Sequence, residues 1–370
     1  MLPKSHRRKS RRGTQVGQYA PRESLWNETS DRGLARRTPR SMATKLPTSG
    51  LASLLLVCIL VTTSSCSVRR FAVNKIGDAL ASGSSTYSED EDLQLVGAAL
   101  PFGLKLIEGL LAESPKHKGL LVTACEGFTT YSYVYVHEQA SRAAEEDLEQ
   151  ARQIRERARR LYLRARRYGL RRLEASYPGI TERLAADPGA ALSKMKKKNV
   201  PALYWNAAAL GLAISVSKND AEMLAHLPQV EAFLDRALEL DESWNEGALH
   251  AFQVTLASAR PGGSDLAKIR SHFERALDLS GGMQAGLFVA YAEAVSVPQQ
   301  DAAEFEALLS RALRIDPDAH ESVRLANLVA QKRARWLLDH MEDLILTEET
   351  EDSTFSTCPL PHSKSPSSGS

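Results

Sequence analysis

A chain of 370 residues with 25% charged and 43% hydrophobic side chains can bury a sizeable core. Its net charge of +2 hides an asymmetry: residues 1–45 hold 12 Lys/Arg and 3 Asp/Glu, so this end alone is +9 and the rest of the chain is −7. An acidic body has no basic surplus for phosphate groups, which argues against nucleic acid as a partner.

Residues 1–41 are polar, Arg-rich and nearly free of apolar side chains, so they read as a disordered basic extension that buries no core. The same stretch is explained by a start assigned too far upstream, with Met42 as the first residue. From Met42 the pattern changes. Lys45 supplies a positive start, Leu51 to Val61 is an apolar run of eleven, and "TTSSC" follows. This is the build of a secretory signal peptide over 42–65, and the run is shorter than the roughly 20 apolar residues a membrane span needs. The ending resembles a lipobox with Cys66 as the lipidated first residue of the mature chain, although Thr63 stands where Leu is usual. An ordinary cleaved signal, with Cys66 incidental, is the alternative. Ser67 after the cysteine favours an outer-membrane anchor facing the periplasm.

Residues 66–346 read as one all-α domain. Apolar residues recur at three- and four-residue spacing, as in "LVGAALPFGLKLIEGLLAE", and no alternating strand pattern interrupts them. An internal repeat stands out: "FLDRALELDE" (233–242), "HFERALDLSG" (272–281) and "LLSRALRIDP" (308–317) share one frame, with a weaker copy from Leu106. Arg236, Arg275 and Arg311 mark the period, and Ala237, Ala276 and Ala312 place a small residue where two helices would touch. Degenerate tetratricopeptide-like hairpins stacked in a solenoid are the expected architecture, with a concave binding surface. The Ser/Pro-rich residues 347–370 read as a disordered tail.

Several stretches compete as sites. "NVPALYWNAAALGLAISVS" (199–217) has no charged side chain and many small ones, and its interior Asn206 and small residues argue for a packed helix rather than a lipid-facing one. Tyr204, Trp205 and Asn206 near its start fit either core packing or a ligand wall. "GFTTYSYVYVHEQA" (127–140) crowds Tyr131, Tyr133 and Tyr135 with Phe128 and His137, more aromatic side chains than one core face can bury, so either some line a cleft or subunit contact or the core packing here is wide. "YSEDEDLQL" (87–95) reads as a helix start whose acids complement the helix dipole, since it lacks the spacing and Gly of a calcium loop. Ten arginines in 152–172 read as a solvated helix with ion pairs to neighbouring acids; contact with an acidic partner is the other reading. No metal-binding or nucleophile motif is present beyond a bare Ser-x-x-Lys at Ser193, so neither an enzyme nor a cofactor is expected.

Taken in order, "ALPFGLKLIEGLLAESP", "FTTYSYVYV", "RARRLYLRARRYGL", "VPALYWNAAALGLAIS", "FLDRALELDE", "HFERALDLSGG" and "RLANLVAQKRARWLLDH" resemble one family, the T component of tripartite ATP-independent periplasmic (TRAP) transporters. The resemblance implies a periplasmic lipoprotein with cryptic tetratricopeptide repeats. It implies a homotrimer pierced by pores, which docks the substrate-binding P subunit and handles a small hydrophobic ligand. It also places Tyr204, Trp205 and Asn206 on the family's "YW" motif, in the pore-lining region, with Tyr131 and Tyr135 as further candidates. A tetratricopeptide scaffold that only assembles proteins at the outer membrane is the rival function.

Overall fold

The computed structural model describes residues 71–346, apart from 84, 258–259 and 261–264. The signal segment, Cys66, the basic extension and the tail lie outside the described residues. Among the described residues all regular structure is helical, with no strand. Twelve helices carry the architecture: α1 (71–82), α2 (Leu93–Glu113), α3 (Lys118–Ser132), α4 (Glu138–Glu146), α5 (Leu148–Glu174), α6 (Val200–Ser215), α7 (Leu227–Asp241), α8 (Ala248–Ala257), α9 (Leu266–Ser280), α10 (Ala285–Tyr291), α11 (Ala302–Arg314) and α12 (Arg324–Asp339).

Local chemistry sets the boundaries. Asp92 caps α2, accepting from Gln94 N at 2.8 Å and Leu95 N at 3.0 Å, which gives the acidic 87–95 stretch the helix-start role expected of it. Asp147 and Asp265 cap α5 and α9 in the same way. Pro201 and Pro228 sit in the first turns of α6 and α7, where a missing N–H costs nothing. Pro101 breaks the pattern by lying inside α2. Two π-helical turns, Tyr133–His137 between α3 and α4 and Ala292–Ser296 after α10, have no signature in the sequence.

The helices pack in consecutive pairs: α6 with α7, α8 with α9, α10 with α11. The first helix of each pair also touches the first helix of the next, in the order α6, α8, α10, α12. The repeated frame falls in the second helices, and its Ala237, Ala276 and Ala312 are all buried. The matching arginines reach back to the segment ahead of the first helix of their pair. Arg236 donates to the carbonyls of Ser193 and Met195, and Arg275 forks onto the Glu242 carboxylate at 2.7 and 2.9 Å. Arg311 instead lies over the Phe288 ring, 4.5 Å from its centroid.

One expectation is overturned. The arginine-rich α5 does carry local ion pairs, Arg159–Glu156 at 2.7 Å and Arg160–Glu156 at 3.5 Å. It is nevertheless a central helix and not a solvated one, packed by α3, α4 and α6. Ala158, Ala165 and Gly169 make this possible, because small residues let neighbouring backbones approach along the buried face. Arg164 is taken up by Glu108 of α2.

The last helix returns to the first ones. Leu325 of α12 packs with Val96 and Leu100 of α2, and Arg324 donates to the Glu89 carbonyl at 2.6 Å. Trp336 Nε1 donates to Glu145 at 2.9 Å. Arg333 joins Glu293 at 2.7 Å and Glu138 at 3.8 Å, so one guanidinium ties the second π-helical turn and the start of α4 to α12.

α2 is, among the described residues, the one helix long and apolar enough to cross a membrane. It has two apolar faces. Val96, Leu100, Leu104, Ile107 and Leu111 are buried, whereas Leu95, Phe102 and Leu106 face outward, Phe102 being 76% exposed.

Candidate functional site

The uncharged stretch is α6, and burial explains its composition. Twelve of its sixteen residues are buried, so a charge almost anywhere on it would lie in the core. Tyr204 and Trp205 are half-buried. Their rings meet edge-on at 4.9 Å, and Tyr204 also packs on Trp244 at 4.8 Å and Phe252 at 6.0 Å. These spacings suit offset and edge-to-face aromatic contacts.

Trp244 reaches this cluster from an unusual turn. Asn245, Glu246 and Gly247 all have positive φ, at 48°, 54° and 85°. Glycine suits the last position because a Cβ would meet Leu279 Cβ at 3.0 Å and Ala276 Cα at 3.2 Å. Glu246 is held by His320 Nε2 at 2.8 Å, which helps fix a left-handed conformation that a long side chain rarely adopts.

Asn206 does not share the wall with its two neighbours. It is 0% exposed, between α6 and α5, with its Nδ2 donating to the Ala202 carbonyl at 2.7 Å and its Oδ1 without a partner. Tyr131 and Tyr135 stack at 5.8 Å beside α2, where Tyr135 donates to the Leu93 carbonyl at 2.9 Å and its ring covers Gly97. Tyr131 and Trp205 both pack against the buried group of Leu104, Cys125 and Phe128. The five candidates therefore divide: Tyr204 and Trp205 adjoin, Tyr131 stacks on Tyr135, which anchors α2, and Asn206 is sealed in a helix contact.

Side chains not singled out in the sequence complete the site. Glu126 of α3 is half-buried and has no hydrogen-bond or ion-pair partner among the described residues; burial raises its carboxyl to about 7. Cys125 beside it donates Sγ–H to the Trp205 carbonyl at 3.4 Å, which fixes α3 against α6 here. Burial, then the charge of Glu126, raises the Tyr204 phenol to about 12. Two turns along α3, Tyr133 packs edge-on against His137 at 6.2 Å. Burial, then Glu138 and Glu293, raises its phenol, with Arg333 opposing. Burial raises the Glu138 carboxyl, with Arg333 opposing, and the Arg333–Glu293 contact is the shorter of the two. A lone acid in the apolar run "LLVTACEGF" was the available signal for Glu126. Trp244, in a polar turn, gave none.

The arrangement offers aromatic faces, phenols and one free carboxyl at the α3–α6 contact. It suits holding a ligand with an apolar body. Residues 89–345 match the model of the family described as TRAP transporter T-component. The chain belongs to this family. It is also 29% identical, over 301 residues, to an uncharacterized protein of Treponema pallidum (strain Nichols), covering 76% of this chain and 93% of that relative. The family is one of transport components, which implies association with other TRAP subunits.

Proposed function

We propose that this T component is a non-enzymatic subunit that binds an apolar solute and docks the substrate-binding P subunit of its transporter. The observation that carries the reading is the aromatic cluster in which half-buried Tyr204, Trp205 and Trp244 gather over buried Phe252. Large amphipathic rings left partly open at a helix contact are more than a core requires. In this reading the consecutive helix pairs are degenerate tetratricopeptide units in a solenoid. The return of α12 onto α2 closes that solenoid around the solute.

The rest of the proposal concerns placement. Signal cleavage ahead of Cys66 and lipidation of that residue would hold the 66–346 domain at the outer membrane, facing the periplasm. The outward face of α2 is where we place the contact between protomers of a homotrimer. Its Leu95, Phe102 and Leu106 are exposed apolar side chains, and an exposed apolar strip of this kind marks an interface.

The test is titration of the full-length chain with Nile red, followed by fluorescence. Saturable binding that weakens about tenfold or more in Trp205→Ala is the expected result, in line with aromatic anchors carrying much of a site's affinity. Binding that is absent, or unchanged in Trp205→Ala and Tyr204→Ala, overturns the reading and favours a scaffold that only assembles proteins.

A further inference from the structure

The arginines of α5 do not all serve the fold. Arg157, Arg160, Arg164, Arg167 and Arg171 recur at three- and four-residue spacing, so they fall within an arc of about 80° and form a row about 21 Å long. Arg164 is half-buried and the other four are exposed. Only two of the five meet a carboxylate among the described residues, Arg160 at Glu156 (3.5 Å) and Arg164 at Glu108. Arg157 and Arg171 donate to neutral oxygens, the Tyr131 phenol at 3.4 Å and the Pro115 carbonyl at 3.1 Å. Arg167 has no hydrogen-bond or ion-pair partner among those residues. The row therefore carries uncompensated positive charge on a chain whose body is acidic. Leu161 and Leu163 flank it, and with the first four arginines they line an open groove of about 370 Å³.

One end of the row lies where the chain enters the domain. Arg171 reaches the turn between α2 and α3, and α1 docks on that same turn. Ser114 Oγ donates to Asn74 Oδ1 at 2.7 Å, and His117 Nε2 meets the Asn74 carbonyl at 3.2 Å. Phe71 and Ile76 of α1 are exposed, at 63% and 52%, and the Lys75 ammonium lies over the Phe71 ring. Exposed apolar side chains among cations suit the boundary between lipid headgroups and acyl chains. From Cys66 to Phe71 is a step of five residues, at most about 18 Å of extended chain. An acyl anchor on Cys66 would hold this end of the row within reach of the bilayer surface.

We propose that this row of arginines is a membrane-facing surface, which binds the phosphodiester headgroups of anionic lipids and lays α5 along the bilayer beside the anchor. Guanidinium groups grip phosphate oxygens bidentately, and a straight row of them matches a plane of headgroups better than it matches one small anion. An acidic patch on a partner protein offers the same charge, but gives no reason for the row to end beside α1. The proposal rests on the reading of Cys66 as the anchor for its geometry, and on α5 alone for its charge.

Arginine footprinting tests the surface residue by residue. The full-length chain is treated with phenylglyoxal in buffer, with phosphatidylcholine vesicles, or with vesicles of equal parts phosphatidylglycerol and phosphatidylcholine, and its peptides are mapped by mass. With the anionic vesicles Arg157, Arg160 and Arg167 should react about fivefold more slowly, while the exposed Arg314 and Arg335 of α11 and α12 keep their rate. Arg157→Gln, Arg160→Gln and Arg167→Gln combined should weaken binding to those vesicles about tenfold or more. Arg314→Gln, Lys332→Gln and Arg335→Gln combined remove as much charge and should weaken it less than about twofold. Row arginines that stay reactive, equal losses in the two triple variants, or equal protection by neutral vesicles overturns the proposal. Protection by the P subunit in place of vesicles overturns it too, and gives the face to that partner. The mass of the Cys66 peptide from chain recovered from its membrane judges the anchor separately: an unacylated Cys66 removes the anchor and leaves the vesicle result standing.

Discussion

Asn206 lies so close over Gly169 that the two act as one packing unit. A Cβ on Gly169 would come within 2.5 Å of Asn206 Oδ1, and Asn206 has nowhere to go, being wholly buried with its amide tied to the Ala202 carbonyl. This contact brings α5 and α6 together behind the aromatic wall. Gly169→Ala is therefore expected to lower stability by about 1–3 kcal/mol through overpacking. Asn206→Ala makes room for the added methyl, so the double variant should be more stable than the sum of the single losses predicts. Urea denaturation of the four proteins measures the coupling; strict additivity would contradict the contact.

The closure of the fold depends on Arg333, which also lies over the Trp336 ring at 4.4 Å. Arg333→Ala leaves Glu293 partly buried without its partner and is expected to cost about 3 kcal/mol. Amide hydrogen exchange gives the sharper test. Protection should fall in α12 and in α2 together, because the two touch through Leu325, Val96 and Leu100. Loss confined to α12 would mean that the ends do not support each other.

Acid acts on stability through two opposed sets of groups. His272 is held down at about 4 by burial, then by His250, Lys268 and Arg260, against an ordinary value of 6.5. Below that ordinary value the unfolded state takes up protons that the folded state refuses. The stability this imidazole contributes is thus present above about 6.5 and is lost as the pH falls toward 4. Glu126 runs the other way. Its folded value of about 7 exceeds the ordinary 4.5, so it penalises folding at high pH and the penalty fades on acidification. Relative to the parent chain, His272→Asn should therefore gain most in melting temperature near pH 4.5, and Glu126→Gln most near pH 8. Parallel pH profiles for the two variants would refute both assignments.

Cys125 is buried, and burial pushes its thiol well above the ordinary range, so it should be inert to thiol reagents in the native chain. Peptide mapping after brief iodoacetamide treatment, with and without urea, is the check. Labelling of Cys125 in the native sample would show that the α3–α6 contact opens readily.

The outward strip of α2 makes a separate prediction about assembly. Phe102→Asp should convert the proposed trimer to monomer in sedimentation while leaving the circular dichroism of the helices intact, because the side chain is already outside the core. A trimer that survives the substitution would move the protomer contact elsewhere.

Much of this was legible in the residues, and the parts that were not have physical reasons. Helical spacing, capping aspartates and the Arg-Ala repeat frame describe local rules, and the fold obeys them: Asp92 caps α2, and Ala237, Ala276 and Ala312 are buried. The 152–172 stretch misled because periodicity counts charge but not neighbours, and the small Ala158, Ala165 and Gly169 that make α5 central look like filler. The aromatic site was half visible. Tyr204, Trp205 and Tyr131 stand out as rings in quiet sequence, whereas Trp244 arrives through a left-handed turn and Arg333 through a contact reaching back to Glu138. Long-range pairings of that kind leave no periodic trace.

The proposed subunit carries a solute while docked to its transporter partner. Native mass spectrometry of the full-length chain, purified from a periplasm containing its candidate P subunit, tests this most directly. The predicted result is a trimer that carries P subunits and a small lipophilic mass, with that mass lost in Trp205→Ala. A ligand-free monomer with no P subunit attached would contradict it.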